Sequence, residues 1–172
     1  ISNLNKISFF QPHWISDNLL VCSEDSSGWW NLIFFEVNDL KTIFIKKRIL
    51  KEFFEYGVPQ WVSGISLFSG LKDNFYCLAK NKDIWILENY QNLSFVRKID
   101  LPYTTLSELK SDSSNLLLKA SSEVCEEKLI ELDAKSYIGI QIKKNRGKSI
   151  EPISKPESIW FDGAYERKTH AW

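Results

Sequence analysis

Nucleophilic hydrolysis is the first chemistry to test in this sequence, because serine, histidine and acidic side chains are all present. A serine hydrolase carries its nucleophile in a Gly-x-Ser-x-Gly turn, with an Asp and a His elsewhere in the chain. The nearest segment is residues 64–68, where Phe68 replaces the second glycine and Ser66 falls inside a predicted strand. His13 lies between proline and tryptophan, and His170 has no nucleophile near it in the sequence. We therefore predict no catalytic residue and no enzymatic activity for this chain by itself.

Acid–base, metal and phosphate chemistry have no better support. The adjacent carboxylates at positions 24–25 and 126–127 fall in predicted polar turns, where a solvated charge is the ordinary state. The three cysteines form no Cys-x-x-Cys pair, and there is no histidine-rich tract and no glycine-rich phosphate loop. We predict that the chain binds neither a metal nor a cofactor.

The overall composition is that of one globular domain. The 22 Lys and Arg residues balance the 22 Asp and Glu residues, so neither nucleic acid nor a membrane surface is a predicted partner. No apolar run approaches the roughly 18 residues of a membrane span, and no signal peptide opens the chain. Cys22 and Cys77 lie in apolar runs, which predicts buried free thiols and a cytoplasmic location. The chain lacks methionine and begins with Ile1, so we expect it to be part of a longer protein.

The secondary-structure elements that must position these residues are predicted to be β-strands. Apolar runs are short, rich in aromatic and β-branched residues, and separated by polar turns. A clear hairpin spans predicted strands at residues 19–23 and 29–37, with Gly28 free to take a positive φ in the turn. Trp29 and Trp30 would occupy opposite faces of the second strand. We expect these and the other tryptophans to pack mainly between sheets.

Groups of four predicted strands recur along the sequence. Residues 59–61 (Pro-Gln-Trp) repeat the Pro-x-Trp pattern of residues 12–14, and a third round opens at Leu101. A period of about 45 residues with four strands in each unit is typical of β-propeller blades. We predict an all-β fold in which a partial propeller fills residues 1–150, with a β-sandwich as the rival architecture. The predicted four-stranded antiparallel blades cover residues 7–50, 56–100 and 101–146, and the second blade opens with a strand at 61–69.

Four spaced segments resemble one known family. They are residues 11–17, residues 25–32, residues 55–64, and the ending at 154–161 with His170-Ala171 beyond it. They are similar to motifs in the propeller of prolyl-oligopeptidase-type serine peptidases, in the branch of acylaminoacyl-peptidase and dipeptidyl-aminopeptidase-like enzymes. The residues that carry the motifs, and that we expect to be structural, are Gln11, Pro12, Trp14, Gly28, Trp29, Trp30, Asn31, Glu55, Gly57, Pro59, Gln60, Trp61 and Gly64.

The resemblance implies an architecture larger than this chain. The family's propeller has about seven blades, so the chain would be the C-terminal half of one. Residues 151–172 would form exit strands toward an α/β-hydrolase domain, and the whole catalytic triad would follow Trp172. In this family the propeller covers the active site and admits short peptides, which makes it a size filter. Asn31 and Glu55 would then satisfy backbone groups at turns instead of binding substrate.

Two other functions remain open from the sequence. A stand-alone propeller could serve as a scaffold for protein partners, and a tryptophan-rich β domain could bind carbohydrate through exposed indoles. A half propeller also exposes blade faces that a complete ring would bury. We therefore expect the isolated chain to self-associate.

Overall fold

The computed structural model of the protein describes residues 6–39, 42–61, 63–71, 73–143, 154 and 156–171. The end of the third predicted blade, at residues 144–146, and residues 151–153 and 155 of the predicted linker lie outside the described residues. In sequence order, the strands are β1 (Phe9–Ser16), β2 (Leu19–Glu24), β3 (Asn31–Asp39), β4 (Thr42–Ile49), β5 (Phe54–Glu55), β6 (Phe68–Leu71), β7 (Asn74–Asn81), β8 (Ile84–Gln91), β9 (Ser94–Ile99), β10 (Thr105–Ser111), β11 (Asn115–Ser122), β12 (Cys125–Asp133), β13 (Gly139–Lys143), β14 (Ile159–Asp162) and β15 (Lys168–Ala171).

Three antiparallel sheets follow one another along the chain, and each is built from consecutive strands. The first has the order β1-β2-β3-β4, the second contains β5 to β9, and the third has the order β10-β11-β12-β13. Sequential meandering sheets of this kind are the blades of a propeller. The predicted all-β fold class is therefore confirmed, with three blades in the described part of the chain.

The first strand of the second blade is split. β5 pairs with the end of β7 and β6 pairs with its beginning, both on the edge opposite β8. The predicted strand at residues 61–69 is wrong, because β6 begins only at Phe68 and continues through Gly70 and Leu71. The connection contains Pro59, which lacks a backbone donor, and Gly64, whose φ of +81° is left-handed. Gly64 lies inside the predicted strand and interrupts it, and Pro59 lies just before it.

The second strand of the β2–β3 hairpin, the first hairpin read from the sequence, begins later than the sequence pattern predicts. Gly28 has a φ of +83°, and its N–H donates to the Asp25 carbonyl at 2.9 Å, which closes the turn. Trp29 and Trp30 lie before β3, which begins at Asn31, so they are turn residues and not strand residues. The two Pro-x-Trp segments also differ, since residues 12–14 lie within β1 and residues 59–61 lie in a loop.

The core lies between the blades, with the second blade in the middle. Phe75 packs against Phe34 of the first blade at a ring separation of 6.1 Å, and Tyr76 packs against Tyr137, in the β12–β13 turn of the third blade, at 6.5 Å. Packing of apolar faces from neighbouring sheets removes both faces of the middle sheet from water. Alternating residues of β7 therefore serve two interfaces, which explains its nearly continuous burial.

The chain finishes with a two-stranded hairpin, β14–β15, paired from Ile159 opposite Ala171 to Asp162 opposite Lys168. Its side chains are largely exposed. Throughout the described ranges, no helix is long and apolar enough to cross a membrane.

Candidate functional site

The motif residues of β1 join the first blade to the second. The Gln11 side chain donates from Nε2 to the Phe68 carbonyl at 3.1 Å and accepts the Leu67 N–H at Oε1, at 2.7 Å. Two residues further along, His13 Nε2 lies 3.0 Å from the Gly70 carbonyl oxygen. These side chains satisfy backbone groups at the irregular start of the second blade. These hydrogen bonds link the first blade to the second.

The Trp30 backbone makes a second set of hydrogen bonds between the two blades. Its N–H donates to Glu55 Oε2 at 2.8 Å, and its carbonyl accepts the Tyr56 N–H at 2.7 Å. The indole meets the Phe10 ring edge-on at 6.1 Å and lies directly against Gly57. Glu55 and Gly57 thus hold the end of the first hairpin against the second blade.

Asn31 ties the connection between the blades to the same hairpin. Its Oδ1 accepts the Lys51 N–H at 2.8 Å, and its Nδ2 donates to Ser27 Oγ at 2.9 Å. Because Asn31 is buried, both the oxygen and the nitrogen of its side-chain amide need such partners. The side chains of Glu55 and Asn31 therefore accept hydrogen bonds from backbone N–H groups in this structure.

Three tryptophans are more exposed than the sequence predicts. Trp14 is 51% exposed and Trp61 is 85% exposed, so the expectation that these indoles pack between sheets is wrong. Trp29 is partly buried against Phe53, at a ring separation of 5.3 Å. Trp160 is also exposed. The other motif residues at the surface are Pro12, Gly28, Pro59, Gln60 and Gly64.

A buried ion pair lies beside this junction. Glu88 on β8 is 2% exposed, and its two carboxylate oxygens accept from Lys51 Nζ at 2.9 and 3.0 Å. The hydroxyls of Tyr56 and Tyr90 donate to Glu88 Oε2 at 2.7 and 2.8 Å. Burial, together with the Glu88 charge, raises the pKa of both tyrosines, so they remain neutral donors.

Glu24 corrects another expectation. The sequence predicted a solvated turn carboxylate at positions 24–25, but Glu24 is fully buried at the end of β2. Its Oε2 accepts the Ser26 N–H at 2.8 Å, and its Oε1 lies 3.8 Å from Arg48 Nε. Burial next to the Glu24 charge raises the pKa of the Cys22 thiol to about 12.

In the described part of the chain, a serine–histidine–aspartate group lies at the contact between the terminal hairpin and the second blade. Ser158 Oγ lies 2.9 Å from His170 Nε2, and Asp83 Oδ2 lies 3.2 Å from the same nitrogen. The sequence analysis found no nucleophile near His170 along the chain, and the fold brings Ser158 beside it from 12 positions away. The Trp160 ring packs against the imidazole at a tilt of 36°, with ring centres 4.8 Å apart.

The geometry of this group differs from that of a catalytic triad. In a triad the base contacts the serine through one ring nitrogen and the aspartate through the other. Here Ser158 and Asp83 share Nε2 of His170, so neither can hold the ring for the other. Ser66, the other sequence candidate, is buried and donates to the Leu109 carbonyl at 2.7 Å. That hydrogen bond fastens the second blade to the third.

A cavity of about 460 Å³ opens beside the hairpin, between the second and third blades. Its walls carry both charge signs, several hydroxyls and one indole. They are formed by Lys80, Asp83, Trp85, Thr104, Thr105, Ser122, Glu123 and Pro156. Among the residues that the structure describes, no group of three or more His, Cys, Asp or Glu could hold a metal ion.

Solved structures share this fold across almost the whole chain. A puromycin-hydrolysing peptidase of Mycobacterium tuberculosis covers 96% of the chain at 19% identity with a TM-score of 0.81. A puromycin hydrolase covers 96% at 19% identity with a TM-score of 0.80. A structure from a study of two prolyl endopeptidases covers 95% at 10% identity with a TM-score of 0.62.

The chain has the fold of a propeller portion of a prolyl-oligopeptidase-type peptidase. The family resemblance read from the sequence motifs is thereby confirmed at the level of fold. The chain spans about a quarter of the length of these solved proteins, at 25%, 25% and 24%. No protein-family description matches the sequence, and no curated protein matches it either.

Sequence reasoning missed the Lys51–Glu88 cluster and the Ser158–His170–Asp83 group. Their members lie 37 and up to 87 positions apart, and contacts at such separations leave no local pattern. Glu88 did carry one signal: a lone acid inside the apolar run 84–90 of a predicted blade. A buried acid of that kind requires a cationic or hydrogen-bonding partner.

Proposed function

We propose that this chain is the non-catalytic propeller part of a serine peptidase of the acylaminoacyl-peptidase-like type. The observation that carries the proposal is the shared fold over 96% of the chain with a puromycin-hydrolysing peptidase. The motif residues support it, because Gln11, Trp30 and Glu55 fasten consecutive blades together. The chemistry would then belong to a hydrolase domain on the same longer protein.

We further propose that the end of the blades beside the terminal hairpin faces that hydrolase domain. The cavity, the turn carrying Asp83, and Pro156 just before the terminal hairpin all lie together there. A propeller set over a hydrolase pocket would exclude water and bulky proteins while admitting short chains. The proposed substrates are short peptides and small aminoacyl compounds, in keeping with the puromycin named for two of the similar structures.

The test uses the full-length protein that contains this chain. We expect it to react with a fluorophosphonate probe and to hydrolyse N-acetyl-alanine p-nitroanilide or alanine p-nitroanilide. We expect cleavage of unfolded casein to be at least about 100-fold slower per peptide bond, because the propeller excludes long chains. The matched comparison is the protein with residues 1–172 deleted, checked for folding by circular dichroism.

Each result separates the alternatives. A deleted protein that folds and cleaves casein at an increased rate supports size selection by the propeller. Equal casein cleavage by the full-length and deleted proteins rejects size selection by this part of the propeller and leaves only a structural role. A full-length protein without serine-hydrolase activity rejects the peptidase assignment and favours a protein-interaction propeller.

A cytoplasmic location is also proposed. Its support is that Cys22 and Cys77 are buried as free thiols, which is the usual state of cysteines in a reducing compartment. Fractionation of the source cells with an antibody against the chain tests this proposal. Recovery outside the cytoplasmic fraction would reject it.

Carbohydrate binding is a second candidate, favoured by the solvent exposure of Trp61 and Trp14. Exposed indoles can stack on sugar rings because both surfaces are apolar and flat. Titration with a panel of oligosaccharides should shift tryptophan fluorescence in the wild-type chain and less in the Trp61→Ala variant. Unshifted spectra across the panel would reject this candidate.

A further inference from the structure

The Lys51 ammonium group lies in a box of aromatic rings on the second blade. Its Nζ atom is 4.6 Å from the ring centre of Phe95, 4.9 Å from that of Phe54, 5.7 Å from that of Tyr90 and 5.8 Å from that of Tyr56. Aromatic faces carry negative charge density and attract cations at these distances. Glu88 completes the box with its two oxygens.

The box is held together without the help of Lys51. Both tyrosine hydroxyls donate to Glu88, and they lie 3.1 Å from each other. Tyr90 also packs edge-on against Phe95, with ring centres 5.7 Å apart. The walls thus belong to strands and contacts of the second blade, and their geometry is fixed by their mutual contacts.

Lys51, in contrast, belongs to the connection between the first and second blades. Its side chain is 25% exposed, so solvent reaches it and the box is not fully enclosed. The neighbouring residues Leu50 and Phe53 are exposed. Lys51 is therefore the one component of the cluster that could leave without unfolding the blade.

We infer that Phe54, Tyr56, Glu88, Tyr90 and Phe95 form a binding site for a primary alkylammonium group, which Lys51 fills from within the same chain. A primary ammonium is the matching ligand, because Glu88 accepts two N–H bonds and four rings enclose the cation. A quaternary ammonium can use the rings but has no N–H to donate. An external amine that displaced Lys51 would release the connection between two blades. The inference does not depend on the proposed peptidase function.

Chemical rescue of the Lys51→Ala variant tests the site in the full 172-residue chain. Adding n-butylammonium should raise the Tm of Lys51→Ala in a saturable way, by about 3–6 °C at ten times the Kd. Neutral 1-butanol should give no saturable rise, and tetramethylammonium should bind more weakly. The matched control is Lys51→Met, whose side chain fills the channel, so that added butylammonium should leave its Tm unchanged.

The carboxylate is tested by the double variant Lys51→Ala/Glu88→Gln, which should lose the butylammonium response. Equal Tm rises in Lys51→Ala and Lys51→Met, or no saturable rise in Lys51→Ala, would overturn the inference. If Lys51→Ala does not fold alone, it is refolded with butylammonium, and recovery of the near-ultraviolet dichroism of its tyrosines is measured. Recovery supports the ammonium site, and failure to recover overturns it.

Discussion

A Cβ atom built on Gly57 would lie 2.6 Å from Cγ of Trp30, well inside van der Waals contact. The two residues come from different blades, and each is also held by its neighbours, since the Trp30 N–H donates to Glu55. A residue with a side chain would therefore clash with Trp30 at position 57, so the blade junction requires glycine there. The Gly-Trp-Trp turn and the Glu-x-Gly segment, which look like separate motifs in the sequence, are the two sides of one contact.

Gly57→Ala is expected to destabilise the chain by about 1–3 kcal/mol, the usual cost of overpacking a buried contact. Replacing the ring in Gly57→Ala/Trp30→Leu should recover part of that loss, so the two changes should be non-additive. Urea unfolding followed by circular dichroism measures both. The control is Gly64→Ala, where space is open but φ is +81°. The free energy of unfolding that Gly64→Ala loses through backbone strain should be the same with and without Trp30→Leu. If Gly57→Ala is as stable as the wild type, the packing argument is wrong.

The sequence was sufficient to predict the sheets but not their junctions. Alternation and turn residues depend on neighbours along the chain, so the hairpin around Gly28 could be read directly. The split strand after Glu55 could not be predicted, because a mostly apolar segment such as residues 65–67 also occurs in a partly buried loop. Exposure of Trp61 was missed for a related reason: residue type predicts burial only on average, and a single large apolar side chain at the surface is common.

The Ser158–His170–Asp83 group should show no catalytic reactivity in this chain. Both partners contact one imidazole nitrogen, so the ring cannot pass the serine proton while being oriented by the aspartate. We expect no labelling of the 172-residue chain by a fluorophosphonate probe, and the same p-nitrophenyl acetate hydrolysis for wild type and Ser158→Ala. Probe incorporation at Ser158, mapped by mass spectrometry, would show that the prediction is wrong.

The same contact should instead hold the terminal hairpin in place. Asp83→Asn weakens the link to His170, so trypsin should cleave after Arg167 several-fold faster than in the wild type. The control is Asp100→Asn, which removes an exposed ion pair with Lys98 far along the same blade. Equal cleavage rates in wild type and Asp83→Asn would mean that other contacts hold the hairpin.

The three cysteines should differ strongly in reactivity. Burial raises the pKa of Cys22 to about 12, and burial also raises the pKa of Cys77, whereas Cys125 is partly exposed. Because the thiolate is the reactive form, a disulfide reagent at pH 8 should modify Cys125 at least about 100-fold faster than the others. Denaturant should make all three react together. The matching control is the Cys125→Ser variant, whose two remaining thiols should react slowly in the native state. A fast thiol in that variant would show that Cys22 or Cys77 is not buried.

Asp133 should make the stability of the third blade depend on acid pH. The backbone N–H of Ser136, assisted by the Ser136 hydroxyl and the Lys135 N–H, holds the pKa of Asp133 below its usual range. A lowered folded-state pKa contributes stability above the unfolded value of about 4, and this contribution is lost as the pH falls through the folded pKa. The Tm of wild type should exceed that of Asp133→Asn at pH 6, and the difference should shrink toward pH 2. A constant difference across that range would count against the charge effect.

The outward side of the first blade should drive self-association of the isolated chain. Phe34 faces the second blade, so its neighbour Phe35 and the cross-strand partner Ile45 face away from it. Trp14 and Ile45 are each about half exposed on that side, at 51% and 49%. An apolar sheet face in water favours association with another such face. Sedimentation velocity should show a mass that rises with concentration. Ile45→Lys should lower that mass more than Ile138→Lys, a change at an exposed residue in the β12–β13 turn of the third blade. A monomer at high concentration would show that the outward side needs no partner.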